Sequence, residues 1–271
     1  FYTTTGANNV AVGQASMYVN TTGAGNVAIG NGTLSTNSTA DNNTAVGTNA
    51  LLANTTGSQN TSIGNGSGDL TTTGHSNTFV GFNVGDANTT GIANALVGTY
   101  VDPSSSGENY ASGLGYNLSC AGAYTTLGNG GDDIRAAHGN ITWATVSDER
   151  VKKDIEDATV GLEFINDLRP VTFNYRNKGD LPKEFRGYEE GSTEAYRNSK
   201  TQHGFIAQEV KTAIDNHSDI KDGFSMWDDN DPAGQQRVGE TAVVPMLVKA
   251  IQELSAEVEE LKQKAHDKCE E

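Results

Sequence analysis

The chain has 271 residues and a formal net charge of −16, from 18 Lys and Arg against 34 Asp and Glu. That balance argues against nucleic-acid binding and anionic membrane surfaces, which both need clustered basic side chains. No run of 18 apolar residues occurs, so no segment reads as a membrane-spanning helix and no membrane insertion is expected.

The charge is unevenly spread. The first basic residue is Arg135, and only Asp41, Asp69, Asp86, Asp102, Glu108, Asp132 and Asp133 precede it as acids. The first half is built from Gly, Asn, Thr, Ser and Ala, and two chemistries meet near residue 140. The chain opens at Phe1, without Met and inside a repeat, which reads as a cut in a longer protein. Cys120 and Cys269 stand far apart with no metal-ligand spacing, so no disulfide scaffold is expected.

A repeat comes first in chain order. Gly13, Gly30, Gly47, Gly64, Gly81, Gly98 and Gly115 recur every 17 residues, and Asn9, Asn26, Asn43, Asn60, Asn77 and Asn94 each stand four residues earlier. Between them lie strand-like steps such as Val10-Ala11-Val12 and Val27-Ala28-Ile29, with Thr-Gly turns at Thr22-Gly23, Thr56-Gly57 and Thr90-Gly91. Glycine after each strand permits a positive φ or a close backbone approach. A disordered Gly/Ser/Asn linker has no reason to keep register over seven units, so the pattern predicts a β-solenoid or β-roll.

Each repeat offers about two aliphatics for its interior (Val10 and Val12, Val27 and Ile29), with an occasional third such as Leu34 or Leu51. That is little for one chain to enclose alone, so a narrow axial core shared by several chains is expected. The repeats also resemble the head repeats of trimeric bacterial adhesins and many phage fibre shafts over about residues 6–115. Their 17-residue period is longer than that of the adhesin heads.

From Tyr116 to Val146 the repeat dissolves, and Gly128-Asn129-Gly130-Gly131-Asp132-Asp133 reads as part of a connector. Ser147-Asp148-Glu149-Arg150-Val151-Lys152-Lys153-Asp154-Ile155 follows. Taken alone it is a helix start, with Ser147 as N-cap and two acids in the first turn. Beyond it come a helical stretch at 161–168, a strand in Arg169-Pro170-Val171-Thr172-Phe173-Asn174-Tyr175, the segment Gly204-Phe205-Ile206-Ala207-Gln208-Glu209-Val210, and a long terminal helix.

This succession resembles the intramolecular chaperone domain of phage tailspikes and tail fibres, the S74 peptidase family, from residue 147 to about 262. The Ser-Asp-x-Arg-x-Lys start, the Pro-Val-x-Phe strand and the Gly-Phe-Ile-Ala-Gln-Glu-Val segment carry the resemblance together. It implies a Ser–Lys dyad that cuts its own chain once, before the serine. Ser147 would be the nucleophile, Lys152 the general base with Lys153 as its competitor, and the cut would fall between Val146 and Ser147. A lysine acts as a base only when neutral, which burial or nearby positive charge from Arg150 and Lys153 would favour.

In the last helix Leu247, Ile251, Leu254, Val258, Leu261 and Ala265 keep an a/d spacing, read as a coiled coil over 247–265. β-branched residues at a with Leu at d nominally favour two strands, whereas the resemblance implies three. The alternative is a stripe packed on its own domain.

His75, His138, His203, His217 and His266 show no ligand spacing, and no metal or cofactor is expected. Asp132-Asp133 is better read as a turn or solvated pair than as a glycosidase pair. Trp227-Asp228-Asp229-Asn230-Asp231 reads as an exposed loop.

The expected organisation is a trimeric β-solenoid shaft over 1–115, a connector over 116–146, and an α+β autoproteolytic chaperone over 147–271. The expected setting is a phage tail fibre or tailspike folded in the host cytoplasm and carried on the virion. Its partners would be two further copies and a host receptor or polysaccharide whose site the sequence does not locate. A surface adhesin or fibre with a non-cleaving trimerisation domain is the alternative. A eukaryotic membrane-tethered transcription factor using the same chaperone domain lacks support, since neither a DNA-binding region nor a spanning helix appears.

Overall fold

The computed structural model describes residues 5–140, 142–145, 147–220 and 224–270, with side chains to residue 268. Two compact units result, Phe1–Lys153 and Asp154–Glu271, each with its own buried core.

In the first unit every repeat contributes one strand: β1 (Val10–Val12), β2 (Val27–Ile29), β3 (Thr44–Val46), β4 (Thr61–Ile63), β5 (Thr78–Phe82), β6 (Ala95–Pro103) and β7 (Ser112–Cys120). Successive strands pair in parallel with the repeat's own offset, Val10 with Val27 and Thr61 with Thr78. This is a β-solenoid with the 17-residue period. Glycine closes each strand for a steric reason. Gly64 sits at φ +138, and a Cβ there would lie 1.9 Å from the Gly81 carbonyl oxygen of the next coil, closer than any side chain can come.

The aliphatics expected inside the coils point outward. Val10 and Val12 are about half exposed and Ile29 is 39% exposed, whereas the second residue of each strand from β2 to β6 is fully buried: Ala28, Ala45, Ser62, Phe79 and Leu96. Side chains alternate faces along a strand, and a coil this narrow admits one inward residue per short strand. Met17, Leu34 and Leu51 fill the turns between strands, as expected for the two leucines. The core is therefore closed within one chain, which corrects the expectation of an axial core shared between chains.

The polar part of that core is a file of buried asparagines. Asn26, Asn43, Asn60, Asn77 and Asn94 each donate a backbone N–H to the side-chain carbonyl of the asparagine one coil earlier, at 2.9–3.0 Å. Their side-chain amides donate to carbonyls such as Ala40 O, Gly74 O and Gly91 O at 2.8–2.9 Å. A second file runs Asn20, Asn37, Asn54, with Asn37 and Asn54 each donating Nδ2 to the Oδ1 before it at 2.9 Å. There it breaks. Thr71 holds the next place, and Asn54 Oδ1 is buried without a hydrogen-bond partner among the described residues.

The glycine-rich stretch expected to connect carries more sheet. β8 (Tyr124–Asn129) joins β7 in parallel on a shortened coil that pairs Leu114 with Leu127. β9 (Asp132–Ala137) turns back antiparallel on β8, and β10 (Ala144–Thr145) pairs with β9. Gly130, at φ +57, makes the reversal. The two acids expected as a turn or solvated pair open β9 instead, Asp132 exposed and Asp133 buried.

In the second unit α1 (Leu162–Asp167), β11 (Val171–Phe173), β12 (Gln202–Gly204), α2 (Ala207–Asn216), β13 (Trp227–Asp228), β14 (Arg237–Val238) and α3 (Val244–Glu270) follow in order. Phe164, Val210, Ala213, Ile214, Met226 and Val243 form its core. Glu253 of α3 accepts a hydrogen bond from the Leu162 N–H at 2.7 Å, so the long helix caps the short one. The acidic run expected as a loop forms the β13–β14 hairpin, where Arg237 pairs with Asp231 at 2.6 Å and Asp228 at 3.8 Å. Along α3, Leu247, Ile251, Leu254, Val258 and Leu261 are all exposed, while Ala250 is buried. The a/d row is therefore not packed on its own unit. No helix among the described residues is long and apolar enough to cross a membrane.

Thr71→Asn should extend the broken asparagine file and give Asn54 Oδ1 its donor. A completed buried hydrogen bond is worth about 1 kcal/mol, read as a raised midpoint in chemical denaturation. An unchanged or lowered midpoint counts against the asparagine file as a source of stability.

Candidate active site

The sequence places its catalytic candidates at the end of the first unit, where one 3-10 turn spans Glu149–Val151. Asp148 caps that turn, its Oδ1 accepting the Arg150 N–H at 2.9 Å. The cap expected from Ser147 is thus supplied by its neighbour, because a carboxylate one residue nearer reaches the turn's free amide. Ser147 keeps its hydroxyl for another partner. Lys152 closes the turn, its N–H donating to Glu149 O at 3.0 Å, and the reversal brings its side chain back over residue 147. Lys152 Nζ donates to Ser147 Oγ at 2.8 Å.

Arg150 also grips Asp148 through its side chain, with Nε on Oδ1 at 2.9 Å and a terminal amino group on Oδ2 at 2.5 Å. The guanidinium holds the Asp148 carboxyl below the usual carboxylate range, and the carboxylate in turn raises the Arg150 pKa. Both groups lie at the solvent surface, so the clamp acts as geometry more than as stability. It fixes the backbone between nucleophile and base. The Ser-Asp-x-Arg-x-Lys spacing contains this clamp, but the sequence reading assigned Arg150 only an electrostatic part and missed it as a brace.

Ser147, Lys152 and Lys153 are exposed in the single chain. Val146, the residue expected before the cut, lies outside the described residues. Among the described residues no group of three His, Cys, Asp or Glu side chains is arranged to hold a metal ion. His217 has a structural place, with Nε2 3.0 Å from Asp167 and its ring edge-on to Phe164.

Residues 147–219 match the family model Peptidase_S74, chaperone of endosialidase. The match opens on Ser147 and takes in the dyad candidates, α1, the β11–β12 pair and α2. Over those residues the chain is similar to the chaperone of endosialidase. The β13–β14 hairpin and α3 lie beyond the matched chaperone segment. No curated protein and no solved structure matches the chain.

A second group of titratable residues lies on the solenoid, ahead of the chaperone segment. Asp102 is pushed up to about 6, first by burial and then by the Asp86 carboxylate, with which it shares a hydrogen bond. Asp69 is raised as well, by burial and then by Asp86. Raised carboxyls bind protons more readily in the folded state than in the unfolded one. For Asp102 that contribution is fully present below about pH 4 and is lost as pH rises through about 6. Asp102→Asn should therefore leave the melting temperature near wild type at pH 4 and raise it above wild type at pH 7. Equal offsets at both pH values contradict the shared-proton arrangement.

Proposed function

We propose that the chain is part of a phage tail fibre or tailspike whose chaperone segment brings three copies together, completes the folding of the solenoid shaft, and then cuts itself free between Val146 and Ser147. The observation that carries this reading is the 2.8 Å contact between Lys152 Nζ and Ser147 Oγ, at the first residue of the matched chaperone segment. Trimerisation is supported by the exposed a/d row of α3, since an apolar seam of that spacing is stable in water only against other helices.

The chemistry follows from the two side chains. Neutral Lys152 takes the Ser147 hydroxyl proton as Oγ attacks the Val146 carbonyl carbon. Collapse of the tetrahedral adduct breaks the Val146–Ser147 amide bond, and the Ser147 nitrogen takes a proton to leave as an amine. The ester formed, Val146 to Ser147 Oγ, is hydrolysed by water to a Val146 carboxylate and a restored serine. Each chain turns over once. No metal or cofactor enters any step.

Lysine serves as a base only in its neutral form, which burial favours. Both side chains are exposed in a single chain, so the desolvation belongs to the assembled state. That dependence ties the cut to completed assembly. Loss of the chaperone would leave the shaft kinetically trapped, because its folding template has gone. The mature shaft would then serve on the virion in contact with a host receptor or polysaccharide.

Exposure of both dyad side chains also favours a second reading, a trimerising fibre or adhesin domain that never cuts. Denaturing mass spectrometry on wild type, Ser147→Ala, Lys152→Ala and Lys153→Ala separates the two. The dyad requires fragments ending at Val146 and beginning at Ser147 in wild type and Lys153→Ala, absent from the other two. An intact 28.5 kDa wild-type chain that is trimeric in native mass spectrometry establishes the non-cleaving reading.

A further inference from the structure

The outer face of the solenoid carries a file of aliphatic side chains one residue wide. Strand pairing aligns Val12, Ile29, Val46, Ile63, Val80, Val97, Leu114 and Leu127 in succession, each directly beside the next. The antiparallel β9 extends the file with Ile134, paired to Leu127. Nine positions at a strand spacing of about 4.8 Å make a ridge roughly 38 Å long. It is not covered: Val12 and Leu114 are each 56% exposed, and Ile63 is 42% exposed. Beside its later members Phe82, Tyr100 and Tyr116 stack edge to face, with ring centroids 5.4 and 6.3 Å apart, and all three rings are also exposed.

Nothing in the folding of one coil requires this file. From the second coil on the interior is filled without it, since the second residue of each strand from β2 to β6 is already buried. The position two residues earlier in each strand passes from Val10 and Val27 to Thr44, Thr61 and Thr78, so solvent-facing threonine is tolerated there. The file itself keeps to Val, Ile and Leu through every coil. A contiguous exposed apolar surface of this length marks an interaction site.

We propose that this file is the face along which copies of the chain pack side by side, in parallel and in register, so that each rung meets the same rung of its neighbours about the trimer axis. The proposal rests on the homotrimer reading and names the surface that reading leaves open. Two features select a second copy as the occupant. A rigid ridge with one side chain per strand is matched along its whole length by a surface with the same rise, and the same solenoid supplies one. Charge does not oppose the contact, because no Lys or Arg precedes Arg135 and no acid occurs within β1–β8 except Asp102, near the far end of β6. Along β1–β8 a charged partner would find almost no counter-charge beside the file, and charge enters only at β9 with Asp132.

The test is cross-linking in the full chain with Cys269→Ser as background. Cys120 is buried, and burial pushes its thiol up to about 11, which keeps it out of the reaction. Ile63→Cys places a thiol on the file, and Thr56→Cys places one on an exposed turn outside the sheet. Both are treated with a short bismaleimide and run under denaturing conditions, with native mass spectrometry of the untreated protein alongside. The proposal expects a trimer, most Ile63→Cys chains joined in covalent pairs, and Thr56→Cys chains remaining single. A trimer with equally weak linkage at both sites overturns the face and leaves the trimer standing. A monomer overturns the trimer reading and this face with it.

Discussion

The shaft depends on one repeated interaction, the hydrogen bond from a backbone amide to the side-chain carbonyl of the asparagine 17 residues before it. Each such bond closes one coil onto the next. Asn26, Asn60 and Asn77 use their own amides to hold the turn of the following coil. A buried amide is costly unless both its ends are satisfied, and a strict period is the simplest way to satisfy both at every rung. Glycine after each strand follows from the same stacking, since the carbonyl of the next coil occupies the space a side chain would need. The nearly uncharged composition is a consequence too, because no charge could be accommodated among these stacked amides without a partner.

Closing the coil with amides, small side chains and a few buried apolar ones leaves the aliphatics at the third strand position outside. The solenoid thus solves its interior alone and presents its apolar residues to other molecules, while α3 presents a second apolar row in the other unit. In each unit one set of exposed apolar side chains falls on a regular line. On the proposed reading, the same assembly that covers these lines also desolvates Ser147 and Lys152, so that folding, association and cutting become successive consequences of one event.

Much of this was legible in the sequence. The 17-residue period is visible because Gly and Asn answer to backbone geometry, which repeats exactly as the coils do. In the second unit α1, β11 and α3 were readable because they carry ordinary amphipathic or proline-bounded patterns, while α2 was not read as a helix. The orientation of the strands was not. Val-Ala-Val alternates equally well with either face inward, and only the narrow bore, a property of the closed coil, turns the alanine in. The sheet across 124–145 was hidden because its glycines serve as strand and turn residues at once, and a β-turn composition conceals a shortened coil. At the candidate site the spacing of Ser147 and Lys152 was legible, but the Asp148–Arg150 clamp emerges only once the 3-10 turn is formed. The break at Thr71 was in plain view as a missing asparagine, yet its consequence for Asn54 requires the stacking to be known.

The central claim is that assembly completes the cutting site. It is tested most directly by refolding the wild-type chain from denaturant over a wide range of chain concentrations, following the product that begins at Ser147 by mass spectrometry. The account predicts that its rate of appearance climbs with concentration and that it forms no earlier than the trimer seen in native mass spectrometry of the same samples. A cutting rate independent of concentration, with product appearing among monomers, would contradict it.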